Sequence, residues 1–164
     1  MSAFTETITE QLQFAQWAAT KNLEEMTHGD SIVRPTGGGN DFNWVLGHVI
    51  SGRNRILPAF GEQPFWDSER TQAYAMASSE DTAQRAPLDE LRQALATSLD
   101  RVMAGLGRAD DALLDGKAPF SPANNPNETL RSLLMKMVVH ESYHIGQLGA
   151  LRRAAGKQGA IVRR

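Results

Sequence analysis

Four stretches of this chain place apolar residues three and four positions apart, and none sustains the every-second-residue alternation of a half-buried strand. In the first, Phe4, Ile8, Leu12, Ala15, Ala19, Leu23 and Met26 make one stripe, which His28-Gly29-Asp30 ends. The second runs from Asn43 to about Phe60. Asp41 or Asn43 can accept from its free N–H groups, Pro58 should bend or end it, and Gly61 closes it. The third sets Leu88, Leu91, Leu95, Leu99, Val102 and Leu106 behind Pro87, with Gly107 near the stop. The fourth, from Glu128 to about Ala155, has Asn127 in the capping position and Gly156 in the stop position. Its stripe is Leu130, Leu133, Met137, His140, His144, Gln147 and Leu151, a seam that puts both histidines in line with leucines.

Long amphipathic helices without strands bury their stripes against one another, so the expected fold class is all-α, a four-helix bundle in one domain spanning residues 1–164. The first two joining segments exceed tight hairpins, which permits crossover connections and leaves the up-down order open. Residues 62–86 read as a loop with one short helical turn, long enough to cover a site. Phe65, Trp66 and Tyr74 within it either line a pocket mouth or pack as a satellite of the core.

Composition narrows the function classes. With 41% hydrophobic residues among 164, the chain can bury a core without staples. There is no cysteine, which removes thiolate zinc knots and cysteine nucleophiles and leaves His, Asp, Glu or water to hold any metal. A net charge of -2 argues against a nucleic-acid partner, and no stretch nears the roughly 20 apolar residues of a membrane span. The first ten residues lack the basic and apolar regions of a signal peptide, so a soluble cytoplasmic protein is expected. Beyond Glu141 the charges are all basic: Arg152, Arg153, Lys157, Arg163 and Arg164. A solvated helix end explains that bias, with an anion-binding role as the alternative.

The stretch HESYH, residues 140–144, holds the H-E-x-x-H signature of zinc peptidases. Histidines four apart on a helix share a face and can ligate one divalent ion. Neither usual peptidase completion is present: position 150 is alanine, and no Asp, Glu or His follows His144. A third imidazole must come from upstream. His48, inside the second helix with Trp44 one turn before it, is the choice; His28 reads as a helix-end residue assisting C-terminal carbonyls. Gln147 is a candidate for holding a ligand ring or a substrate. Glu141, rotated off the seam, reads as a surface or interhelix ion pair with an arginine or lysine, with general base as the alternative role. Tyr143 and Trp44 are candidate pocket walls. Gly146 and Gly149 inside the helix suggest close approach of another helix, within the chain or across a dimer contact.

The runs NWVLGHVISGRNRIL, with His48, and VVHESYHIGQLGALRR, with His140, His144 and Gln147, resemble the DinB family of damage-inducible helical bundles. The resemblance extends over essentially the whole chain. It implies a four-helix bundle of unusual connectivity, a divalent metal held by residues matching His48, His140 and His144, and a homodimer. Three imidazoles suit zinc, nickel, copper and iron, with zinc and nickel the expected ions. Some relatives are thiol-dependent transferases or isomerases that use a low-molecular-weight thiol, so a metal-dependent hydrolase or thiol transferase acting on a small molecule is expected. A metal-containing stress-response or binding module without enzymatic activity is the alternative. No motif here carries over a thiol pocket, and an appended domain like that of the mycothiol-dependent isomerases is not expected.

Overall fold

The computed structural model describes residues 2–76 and 85–161, so residues 77–84 of the middle connection and Arg163 and Arg164 lie outside the described residues. Four long helices form the body: α1 (Ala3–Leu23), α3 (Phe42–Ile56), α5 (Leu88–Arg108) and α7 (Leu130–Ala154). Shorter ones join them: α2 (His28–Ser31), α4 (Ser68–Ala73), α6 (Asp111–Leu114) and a 3-10 turn (Leu57–Phe60). No strand occurs among the described residues, and no described helix is long and apolar enough to cross a membrane.

The core has two ends. One gathers Ala19 and Leu23 of α1, Leu46 and Ile50 of α3, Leu91 and Leu95 of α5, and Leu148 and Leu151 of α7. The other gathers Ile8 and Leu12, Ile56, Val102 and Leu106, and Leu130 and Leu133. Helices α1 and α7 therefore run one way and α3 and α5 the other. Each of α1 and α3 packs against both α5 and α7, so the consecutive long helices α1 and α3 sit diagonally. Because α3 and α5 are parallel neighbours, the chain must return along the bundle between them, and its described part packs on α3 through Trp66, Thr71 and Tyr74.

Local chemistry sets the boundaries. The α1 stripe stops at Leu23, because Glu25 adopts φ 61°; Met26 is buried beyond the helix. Thr27 and Asp30 then form a reciprocal capping box, so His28 opens α2 instead of assisting the end of α1. Arginines take carbonyls at and just beyond the end of α1: Arg92 reaches Leu23 and Met26, and Arg152 reaches Asn22 and Glu24. Part of the basic tail is thus structural, and Lys157 likewise pairs with Asp30 at 3.1 Å. Asp41 caps α3, and the α-helix gives way at Leu57 to the 3-10 turn that contains Pro58 and is closed by Gly61. Asn127 does not cap α7. The Ala118 amide bonds the Glu128 carbonyl at 2.8 Å and holds the chain extended there, which moves the cap to Thr129 and the first helical residue to Leu130.

Gly149 is explained inside the chain, since a methyl group there would lie 3.4 Å from the Asn22 side chain of α1. Gly146 is exposed and faces open space.

Candidate metal centre

Helix α3 brings His48 to α7 opposite His140 and His144. Two turns of α7 carry the latter pair on one face, as their four-residue spacing requires. The His48 Nε2 lies 3.1 Å from His140 Nε2, and His144 Nε2 lies 3.1 Å from the same atom. All three candidate ligand atoms fall within 4.8 Å of one another. His144 is 8% exposed and the other two rings are half-buried.

The far sides of the rings fix the near sides. His48 Nδ1–H donates to the Tyr74 main-chain carbonyl at 2.7 Å, and His144 Nδ1–H donates to Gln147 Oε1 at 2.7 Å. The Gln147 amide is itself oriented, because its Nε2 donates to the Tyr143 hydroxyl at 3.2 Å. With the proton on Nδ1, a neutral imidazole presents a lone pair at Nε2, so His48 and His144 both aim lone pairs at the common point. His140 Nδ1 is buried without a partner. Burial, reinforced by the charges of His144 and His48, holds the His140 pKa down at about 4; burial also lowers those of His48 and His144. Three neutral rings at close range with converging lone pairs are short of a cation or a shared proton, and a divalent ion fits that donor set.

The surroundings are aromatic. The Trp44 indole stacks on His48 with centroids 4.7 Å apart and planes 9° from parallel, and Tyr143 meets His144 edge-on at 5.2 Å. Tyr143 is 64% exposed, at the rim. From the middle connection, Tyr74 is fully buried, and Trp66 stacks on it at 5.6 Å. Gly47, the residue before His48, makes room for this: a Cβ there would fall 2.2 Å from the Tyr74 ring. The missing side chain lets the returning segment press onto α3 and bring a carbonyl within reach of His48. The aromatics at 65, 66 and 74 therefore pack the core, and one of them also supplies a backbone acceptor.

Glu141 belongs to a different cluster. Its two oxygens accept from Arg53 Nε at 2.9 Å and Arg53 Nη2 at 2.7 Å, with both side chains 1% exposed. Arg53 also donates to Gln16 of α1 at 2.7 Å and to Ser98 of α5 at 3.3 Å, so one guanidinium ties all four long helices. A carboxylate held by both oxygens in this way is not free to take a proton at the histidines; its role is the interhelix ion pair. The expected α7 seam is buried at Leu130, Leu133, Met137, His144 and Leu151, but a second buried line through Leu134, Glu141 and Leu148 runs beside it, and His140 and Gln147 lie on the flank. An apolar count cannot place a buried charge. The sequence did hold a clue to Arg53, a charged residue spaced four from Val49 and three from Ile56 inside an apolar helix. Nothing local pointed to the Tyr74 carbonyl.

The family model of the DinB superfamily matches residues 11–148. The chain belongs to the DinB superfamily. The matched span contains all three histidines and Gln147 of this DinB-superfamily protein. Among solved structures, a crystal structure described as a conserved protein of locus from Enterococcus faecalis is similar at a TM-score of 0.73. It is 21% identical in sequence, with 96% of this chain and 99% of that chain covered, and so shares the fold. A search of curated proteins returned no match.

Proposed function

We propose that this DinB-superfamily protein holds a divalent metal ion, zinc or nickel, through the Nε2 atoms of His48, His140 and His144, and acts as a metal-dependent thiol transferase or hydrolase on a small molecule. The observation that carries the reading is the pair of acceptors behind the rings. The Tyr74 carbonyl and the Gln147 amide oxygen each take a Nδ1 proton and leave a lone pair directed inward. Such partners orient metal-binding histidines and raise their basicity. Lowered pKa values keep the rings neutral and available at neutral pH.

Held by three protein nitrogens, a divalent ion would keep a position for a small ligand and would lower the pKa of a thiol or water placed there. The chain's own groups do the rest: Trp44 shields one face of His48 from water, and the Tyr143 hydroxyl stands at the rim, where it can meet an incoming polar group.

Elemental analysis of the purified protein beside His48→Ala is the test. Wild type is expected to carry one zinc or nickel per chain and the variant to lose it, together with any thiol transfer to an electrophile or ester hydrolysis. A wild type without stoichiometric metal, or a variant that retains it, refutes the site. A metal-loaded wild type inactive in both assays refutes the catalytic half alone.

A further inference from the structure

Arg55 follows His48 by seven residues on α3, just under two turns, so it shares the histidine's helical face about 10 Å further along. The Arg55 guanidinium lies 4.1 Å from the centre of the Phe120 ring, a platform on the segment leading into α7. Its charge is felt at His48, where it disfavours the imidazolium. Eight other arginines (53, 70, 85, 92, 101, 108, 131 and 152) pair with carboxylates. Arg55 is exposed and has no carboxylate partner among the described residues.

Between Arg55 and His48 the helix offers Gly52, with the Met137 methyl 3.3 Å from where a Cβ would stand. The floor joining the two is therefore side-chain-free on α3 and apolar on α7. Lys136, next to Met137 in sequence, is drawn onto Glu128 at 2.5 Å. A guanidinium stacked on a ring loses little freedom when its N–H edge takes up a planar anion, and that edge matches a carboxylate with two parallel hydrogen bonds.

We propose that Arg55 is the anion-receiving end of the histidine site, so that its small-molecule ligand carries a carboxylate in addition to the group that meets the metal. The proposal rests on the metal reading above. A neutral ligand of the same length fills the floor and leaves the guanidinium to water.

The test follows the absorption band of the cobalt-substituted full chain during titration with mercaptobutyrate and, separately, mercaptobutanol. Wild type is expected to bind the carboxylate about tenfold more tightly, the value of one charge-assisted contact at an exposed arginine. Arg55→Gln should bind both thiols at the mercaptobutanol level, with unchanged cobalt content, and Arg55→Lys should recover part of the preference. Equal binding of the two thiols by wild type, or a preference that survives in Arg55→Gln, overturns the proposal. If neither thiol perturbs the band, the thiol reading fails separately. Succinic monohydroxamate against its amide, which meet the metal through oxygen, then decides on Arg55: a preference abolished by Arg55→Gln supports the proposal, and equal binding overturns it.

Discussion

Helices α3 and α7 meet over two polar clusters of opposite character. Arg53 and Glu141 form a closed one: both carboxylate oxygens are taken, and the guanidinium also reaches α1 and α5. His48, His140 and His144 form an open one: two lone pairs converge on a third ring whose Nδ1 has no partner. Glu141 follows His140 directly in sequence, so about 100° of helical rotation separates a residue that locks the bundle from one whose ring is short of a partner. Buried polar groups that are fully satisfied specify packing, whereas those left short of a partner mark where something else belongs.

If that division is right, damage to the two clusters should be separable. The largest effect is expected from Glu141→Ala, which strands the Arg53 charge in the core and should cost about 3–5 kcal/mol in urea unfolding. Arg53→Met with Glu141→Leu together should recover much of that loss, since apolar replacement of both partners leaves no uncompensated charge. Failure of the double variant to recover would mean that the pair does more than fill space and neutralise itself.

Gln147→Ala should act in the reverse sense. Loss of the acceptor behind His144 is expected to weaken metal affinity about 10- to 100-fold in chelator competition, with little change in the unfolding of the metal-free protein. A fall in stability comparable to that of Glu141→Ala would erase the distinction between the clusters.

The smallest expected effect is in pH dependence. The folded-state pKa of His140 is lowered from 6.5 to about 4, so between those values the unfolded chain holds a proton that the folded chain lacks. Stability of the metal-free protein should therefore fall as pH drops through that window. His140→Asn should make the slope shallower without abolishing it, because His48 and His144 are shifted the same way. An identical slope in the variant, measured by thermal unfolding across the window, would remove His140 as its source.

The four long helices were legible because their stripes are local: Leu88 to Leu106, or Ile8 to Leu23, announce a buried face by spacing alone. The three histidines were legible for a related reason. In a chain without cysteine, a helical pair plus one further core-facing imidazole leaves few ways to complete a site. Ends were harder, as Thr129 in place of Asn127 shows, because a long-range backbone contact at Ala118 chose the cap. For Glu141 the sequence offered an ion pair with an arginine or lysine, which is the role it has, but not the partner, since Arg53 lies on another helix.

Sequence by itself determined that this chain makes helices with apolar faces and carries imidazoles at the spacing of a shared ion. Only the tertiary structure decided that α3 runs beside α5 in the same direction, that the returning segment sets the Tyr74 carbonyl behind His48, and that Arg53 claims Glu141. The physical reason is range. Helical periodicity is written within four residues, while a hydrogen bond that fixes a tautomer or a charge that finds its partner joins positions 26 or 88 residues apart, and no spacing rule encodes which will meet.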